Sequence, residues 1–279
     1  MAFPRDMKVQ PAAAMFFAVI AASASGGVEA HAQPGGQPAE AAAPLQVAVP
    51  GEEFLPAAVR AKQQDDFDNP AFPFVQAGEA AWAKAEGEKG KACKDCHGAP
   101  PEQRVTSAVV SYPSYARDAK QILTLPARIN FCRKHALRAP ELAEGSDQMM
   151  AMTAYLRWAV RGRAPTADVS GPAEAVLEKG KELYFKKIGQ LQYSCADCHN
   201  QNFGQKFGGE TLSQGHAVAY PVFSLGQKRM ISLDERFRMC NRLARAEPQA
   251  EGSPDYIALE LYLNWRSKDL PVTAPGVRP

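Results

Sequence analysis

Apolar residues recur at helical spacing in several segments of this chain and predict a mainly helical protein. In residues 147–162 (DQMMAMTAYLRWAVRG), Met149 and Met152 are followed by Leu156 or Tyr155, near i, i+3, i+7 spacing. Segment 233–248 echoes segment 125–140, most of which lies in a predicted helix. The other segments predicted to be helical are 78–91, 116–137, 171–185 and 256–268.

These predicted elements occur twice in the same order. Two Cys-x-x-Cys-His sequences begin at Cys93 and Cys195, which are 102 residues apart, and two later cysteines, Cys132 and Cys240, are 108 apart. A Tyr-Pro pair and a Tyr-Leu-x-Trp sequence also recur, at 112 and 220 and at 155 and 262. Ordered self-similarity of this kind indicates a duplicated domain rather than chance matching of common residues.

The first 32 residues are typical of a bacterial export signal. Arg5 and Lys8 precede an apolar run from Ala12 to Ala22, and Ala30-His31-Ala32 offers a small-residue cleavage site. An uncleaved anchor helix is the alternative, but the run is too short to span a bilayer. No later segment is long and apolar enough to do so, and we therefore expect no membrane span in the mature chain.

The two Cys-x-x-Cys-His sequences are typical of covalent haem attachment, in which the thiols form thioether bonds and the histidine ligates iron. One copy alone could be a thioredoxin-like redox pair or half of a zinc site. Two copies in an exported chain favour two haem c groups and a periplasmic location, because this haem is attached outside the bacterial cytoplasm. The expected attachment residues are Cys93, Cys96 and His97, then Cys195, Cys198 and His199.

The expected fold is mainly α, with two tandem, duplicated class I cytochrome c-like domains that each bind one haem covalently. Residues 33–50, rich in Ala, Pro and Gly, are expected to be a flexible leader after the signal. The first domain is predicted at 51–162, a linker at 163–172, and the second, catalytic domain at 173–279.

Comparison of the two repeats selects candidates for the second axial ligand of each iron. The methionines at 149–152 have no methionine counterparts in the second repeat, and His135 and His216 do not match each other. Cysteine is the further ligand type found at equivalent places, Cys132 and Cys240. A Cys132–Cys240 disulfide and methionine ligation of one haem remain as alternatives. The predicted axial pairs are His97 with Cys132 and His199 with Cys240.

Arginines surround the second of these cysteines. Arg236 precedes Cys240 by four residues, so on a helix both would lie on one side. A guanidinium there would favour the thiolate and could hold an oxyanion through two hydrogen bonds. Arg238 and Arg242 have an alternative role, in pairing with haem propionates. The residues around Cys132 do not match this arrangement in the sequence.

Composition is that of an ordinary globular protein and excludes some functions. Of 279 residues, 46% are hydrophobic and 22% charged, and the formal net charge is +2. Neither a basic run nor a glycine-rich phosphate loop occurs. The nearly neutral net charge therefore gives no reason to expect binding to nucleic acid.

At these residues the chain resembles the SoxA family, the dihaem c-type cytochromes of the SoxAX complex in bacterial thiosulfate oxidation. The resemblance extends from about residue 50 to 270. It rests on both haem motifs, both later cysteines, the duplicated layout and the sequence ERFRMCNR at 235–242.

The resemblance implies an L-cysteine S-thiosulfotransferase that joins thiosulfate to a cysteine of the carrier protein SoxYZ. Two electrons would leave through haem to a soluble cytochrome c. The catalytic centre would be the second haem, with Cys240 as a persulfide and Arg236 binding substrate. A SoxX cytochrome c subunit would complete a heterodimer.

Other functions are compatible with the same motifs. A thiosulfate dehydrogenase would couple two thiosulfates into tetrathionate and would need no carrier protein. A plain dihaem electron carrier would have methionine or histidine ligands in both repeats and no use for the arginines near Cys240. The longer loop at 200–219 is a candidate surface for the carrier protein.

Overall fold

The computed structural model describes residues 47–99 and 101–279, which form a mainly helical protein. The predicted signal (1–32) and most of the predicted leader (33–46) lie outside the described residues. No helix in the described ranges is long and apolar enough to cross a membrane. The helices are α1 (Ala57–Gln64), α2 (Phe72–Ala83), α3 (Lys94–His97), α4 (Gln103–Val109), α5 (Leu125–Cys132), α6 (Asp147–Trp158), α7 (Pro172–Phe185), α8 (Leu233–Leu243) and α9 (Pro254–Arg266).

Short strands form small sheets between the helices. Strand β1 (Ser114–Ala116) pairs with β2 (Gln121–Leu123), and β3 (Lys206–Phe207) pairs with β4 (Glu210–Thr211), both antiparallel. A three-stranded sheet has the order β6-β5-β7. In that sheet β5 (Val222–Ser224) is antiparallel to β6 (Arg229–Ile231) and parallel to β7 (Gly276–Arg278).

Each repeat is built on one close helix crossing. In the first repeat, residues 72–158, α2 packs on α6, and in the second repeat, residues 172–266, α7 packs on α9. A Cβ at Gly78 would overlap the carbonyl group of Ala151, and a Cβ at Gly180 would overlap that of Ala258. The two helix pairs approach this closely because a glycine carries no side chain at either crossing.

An aromatic side chain on the first helix of each repeat holds the chain just after the haem motif. Trp82 Nε1 donates a hydrogen bond to the carbonyl oxygen of Gly98 at 2.7 Å. The Tyr184 hydroxyl donates to Oδ1 of Asn200 at 2.9 Å. Both pairs keep the 102-residue offset of the motifs, so the duplicated sequence produces a duplicated geometry.

Two predicted helices have different bounds in the structure. Segment 116–137 was expected to be one helix, but its first part is the β1–β2 hairpin, and α5 starts only at Leu125, after Thr124 as N-cap. The Thr124 hydroxyl accepts a hydrogen bond from the backbone N–H of Ala127 at 3.2 Å, which fixes this start. Segment 78–91 is helical only to Ala83, where α2 ends.

The two repeats share contacts beyond the predicted linker. Met230, Val272 and Ala274 belong to the same buried cluster as residues of α2 and α6. The Asn264 side-chain amide donates to the carbonyl oxygen of Tyr112 at 2.9 Å. The predicted domain bounds at 162 and 173 stay predictions, and the apolar core is continuous across them.

Candidate functional site

His199 is held in an orientation suited to metal ligation. Its Nδ1 lies 2.7 Å from the carbonyl oxygen of Ser213. Because a carbonyl oxygen only accepts, Nδ1 carries the proton and Nε2 keeps the lone pair for a metal. Gly215, at φ +74, lies against the His199 ring, and a Cβ at this glycine would lie 2.7 Å from Cγ of His199. Burial lowers the pKa of His199, which favours the neutral, ligating imidazole.

His97 in the first motif is also partly enclosed. Its Nδ1 is buried and has no hydrogen-bond partner among the described residues. The Trp82 ring lies 5.7 Å from the His97 ring, centroid to centroid. Burial lowers the pKa of His97, as at His199. Both histidines are therefore suited to ligate iron in their neutral form.

Three of the motif thiols lie in surroundings that raise their pKa. Burial raises the pKa of Cys93 to about 11 and that of Cys195 to about 12, and it also raises the pKa of Cys198. Reactive cysteines of the thioredoxin type have depressed pKa values instead. Free thiols beside an oriented histidine fit covalent attachment of a c-type haem.

The structure brings each later cysteine to its own motif. Cys240 is close enough to Cys195 to raise the pKa of that thiol further. Cys132 has the same effect on Cys93. All six cysteines are unbridged, so the Cys132–Cys240 disulfide kept as an alternative is not present. The methionines at 149–152 are core residues, with at most 3% of Met149, Met150 or Met152 exposed.

Helix α8 presents Arg236 and Cys240 one turn apart. The helix begins at Leu233, where the Ser232 hydroxyl accepts a hydrogen bond from the Glu235 N–H at 3.0 Å. Arg236 Nε donates to the Tyr220 hydroxyl oxygen at 3.0 Å, which leaves the terminal nitrogens of the guanidinium for another acceptor.

The protein environment alone does not favour a thiolate at Cys240. Burial raises the pKa of this thiol, and the charge of Arg236 only opposes that increase. The charge of Arg236 favours the thiolate, as expected, but desolvation of the buried thiol outweighs it. A coordinated metal is the kind of positive centre that deprotonates a thiol outright.

The other arginines near Cys240 surround one carboxylate. Glu235 lies 3.8 Å from Arg238, 3.9 Å from Arg242 and 3.3 Å from Arg229. Among the arginines of this helix, Arg236 is thus the one directed toward Tyr220 rather than Glu235. This geometry gives Arg236 a role different from that of Arg238 and Arg242.

The first repeat contains an equivalent arginine–tyrosine pair, which the sequence comparison missed. Arg128 precedes Cys132 by four residues, and its Nε donates to the Tyr112 hydroxyl oxygen at 3.0 Å. The interpretation that Cys132 lacks such surroundings is wrong. Equal spacing was the available signal, because each tyrosine precedes its cysteine by 20 residues, at 112 and 132 and at 220 and 240.

Comparison with known proteins agrees with this duplicated site. A family model described as SoxA/TsdA, cytochrome c domain, matches residues 77–164 and again 179–272. Each of the two matched ranges thus covers most of one repeat. The protein is therefore cytochrome c-like in both halves of its described chain.

Individual relatives match most of the chain. The L-cysteine S-thiosulfotransferase subunit SoxA of Rhodovulum sulfidophilum is 39% identical over 219 residues, 78% of this chain and 76% of that protein. The subunit of the same name from Pseudaminobacter salicylatoxidans is 34% identical over 239 residues, 84% of this chain and 82% of the relative.

A solved structure has the same fold. The crystal structure of SoxXA from P. pantotrophus includes a chain that matches with a TM-score of 0.80 and 32% sequence identity. The match covers 85% of this chain and 89% of that chain. From the duplicated site, the family model and these relatives together, we conclude that the chain belongs to the SoxA family of cytochromes c.

Proposed function

We propose that this chain is the SoxA-type subunit of an L-cysteine S-thiosulfotransferase, which joins thiosulfate to a cysteine thiol of a carrier protein. The observation that carries the proposal is the placement of Arg236 and Cys240 one turn apart on α8, beside the second haem motif. The relatives named for this activity, with identities up to 39%, support it.

The proposal includes two covalently attached c-type haems. Cys93, Cys96 and His97 would hold the first and Cys195, Cys198 and His199 the second, with Cys132 and Cys240 as the further iron ligands. When bound, haem accepts electrons that leave sulfur and passes them on one at a time. The intact mass of the mature protein tests the number of haems, and one haem per chain would contradict this part.

In the proposed reaction, a new S–S bond forms between the outer sulfur of thiosulfate and the carrier thiol sulfur. The thiol releases its proton, and the two electrons would leave to a soluble cytochrome c by way of the haem that Cys195, Cys198 and His199 would hold. Arg236 holds the sulfonate end of thiosulfate through its terminal nitrogens, because a guanidinium matches two oxygens of an oxyanion. Cys240 lies one helical turn away, and we place the joining of the two sulfurs at or beside it.

The assembly we propose follows the same relatives. SoxX, a cytochrome c subunit, would form the heterodimer, as in the SoxXA structure from P. pantotrophus. SoxYZ would be the carrier, and the complex would act in the periplasm after removal of residues 1–32.

Substitution of Cys240 by methionine tests the catalytic assignment. We expect Cys240→Met to keep its covalent haem, because attachment uses Cys195 and Cys198, and to lose conjugation of thiosulfate to the carrier. Cys132→Met is the matched change in the first repeat, and conjugation should persist in it. The mass of the carrier protein after incubation measures the product, and full conjugation by Cys240→Met would disprove the assignment.

The alternative activity makes a different product. A thiosulfate dehydrogenase would form tetrathionate without any carrier protein. Incubation of the haem-loaded protein with thiosulfate and an electron acceptor, with and without the carrier, separates the two. We expect acceptor reduction to depend on the carrier, and carrier-independent tetrathionate would favour the dehydrogenase.

A further inference from the structure

The two repeats carry the same hairpin in the same register. Ser114 pairs with Leu123 in the first repeat, and Val222 pairs with Ile231 in the second, an offset of 108 residues. Lys120 and Lys228, at the end of each turn, both have left-handed backbones, with φ of 53° and 52°. This register makes residues 118 and 226 equivalent.

In the first repeat this turn neutralises the arginine. Arg128 Nη1 donates to Oδ2 of Asp118 at 2.7 Å, while its Nε binds Tyr112. The hydrogen bond from Arg128 lowers the pKa of Asp118, so the carboxylate is charged at neutral pH. The guanidinium of Arg128 is therefore already occupied by an anion that belongs to the chain.

In the second repeat the equivalent position is glycine. Gly226 contributes no side chain, and no carboxylate oxygen of the described residues lies within 4.0 Å of the Arg236 guanidinium. Glu210 and Arg278 are further charged groups that influence this region at longer range. Arg236 therefore keeps the tyrosine contact of its counterpart but lacks the carboxylate.

Space for a side chain exists at this turn. A Cβ at Gly226 would meet only the backbone C and O of Pro279, both at 3.8 Å, an ordinary van der Waals distance. Gly226 is also outside the left-handed backbone region that favours glycine. Neither steric crowding nor backbone conformation requires glycine here.

We propose that the aspartate-to-glycine difference between positions 118 and 226 decides which repeat binds the substrate anion. Asp118 closes the guanidinium of Arg128 to external anions, and its absence at position 226 leaves Arg236 open to thiosulfate. A carboxylate at 226 would occupy the terminal nitrogens of Arg236 and repel a dianion. This inference rests on the proposed role of Arg236 in thiosulfate binding.

Gly226→Asp in the haem-loaded complex tests the inference, with Gly226→Asn as a control of nearly equal volume without the charge. We expect Gly226→Asp to raise the KM for thiosulfate at least roughly tenfold, as loss of a charge-assisted hydrogen-bonding site does. Gly226→Asn should stay within about threefold of the unmodified protein, because a neutral amide does not neutralise Arg236. Haem content and the visible absorption spectrum check that both variants fold.

Three kinetic outcomes separate this inference from the proposed function. In the first, the unmodified complex conjugates thiosulfate, Arg236→Ala does not, and both Gly226 variants keep the KM of the unmodified complex. This result overturns the inference while the proposed function stands. Equal losses in Gly226→Asp and Gly226→Asn would show a steric effect and overturn it too. Full activity of Arg236→Ala would contradict the proposed function itself.

The reciprocal change gives a readout that does not depend on turnover. Asp118→Asn removes the internal anion from Arg128, so calorimetric titration with thiosulfate should show a second bound anion per chain. An unchanged stoichiometry would overturn the role assigned to Asp118.

Discussion

In each repeat, one tyrosine hydroxyl holds the guanidinium of one arginine through a hydrogen bond. The Tyr220 hydroxyl oxygen accepts a hydrogen bond from Nε–H of Arg236, and that of Tyr112 accepts one from Nε–H of Arg128. With Nε bonded to the tyrosine, the N–H groups of the two terminal nitrogens of Arg236 remain as donors for another acceptor. At the residue scale, Tyr220 is therefore a positioning residue for the proposed anion site.

Tyr220→Phe should weaken thiosulfate binding without removing the charge of Arg236. We expect the KM for thiosulfate to rise on the order of tenfold, because a hydrogen bond to a charged group contributes about 1.5–3 kcal/mol, while kcat changes less. Tyr112→Phe removes the equivalent hydroxyl in the first repeat and should leave the KM unchanged. Steady-state kinetics decide the matter, and equal effects of the two variants would contradict the assignment.

The sequence predicts the cysteines and histidines of the site better than their partners. Covalent attachment and ligation require Cys-x-x-Cys-His at fixed spacing, so Cys195, Cys198 and His199 can be identified locally. Tyr220 acts through a hydrogen bond to a residue 16 positions away, which depends on the β5–β6 hairpin. Its signal is visible only when the two repeats are aligned.

At the scale of the elements, start signals were more informative than apolar spacing. Ile122 and Leu123 fit a helical pattern, yet they lie in strand β2, because a short apolar run suits either structure. Thr124 and Ser232 mark where α5 and α8 begin, through hydroxyls that cap the first turn. The sequence Thr124-Leu125-Pro126 is a helix-start signal, and it marks the boundary between the hairpin and α5.

The close crossing of α7 and α9 predicts a specific instability. Gly180→Ala would place a methyl group against the carbonyl of Ala258, so we expect a loss of about 1–3 kcal/mol of stability, as in other overpacked sites. The gain in helix propensity from alanine, about 1 kcal/mol, reduces this cost. Lys181→Ala is the control at the neighbouring exposed position, and thermal unfolding that leaves both variants equally stable would contradict the prediction.

On the scale of the whole molecule, carboxylates gather in a cavity between the two repeats. Glu144, Asp234, Glu251 and Glu260 line it together with Arg157. Burial and repulsion from Asp234 raise the pKa of Glu260 to about 8, and burial also raises the pKa values of Asp234 and Glu144. Burial lowers the pKa of Arg157 to about 10, so this residue stays charged at neutral pH.

These shifts predict that Glu260 contributes less to stability at pH 8 than at pH 5.5. Its carboxyl group holds a proton up to about pH 8 in the folded state, whereas an unfolded chain releases it near pH 4.3. At this residue the folded state binds more protons between these values, so Glu260 gives the free energy of unfolding a negative slope against pH. Glu260→Gln should reduce this slope in chemical denaturation of the haem-loaded protein. Glu178→Gln, at an exposed position of α7, is the control, and equal slopes in all three proteins would contradict the prediction.

Strand β7 has a consequence for the order in which the two repeats complete their packing. It pairs with β5 of the second repeat, and its Val277 N–H donates to Gln63 of α1 at 3.1 Å. Val272, just before it, belongs to the buried cluster of the first repeat. Both repeats therefore complete their packing only with residues 272–278, the last described segment in chain order. During folding, neither repeat reaches its complete native packing before this segment docks.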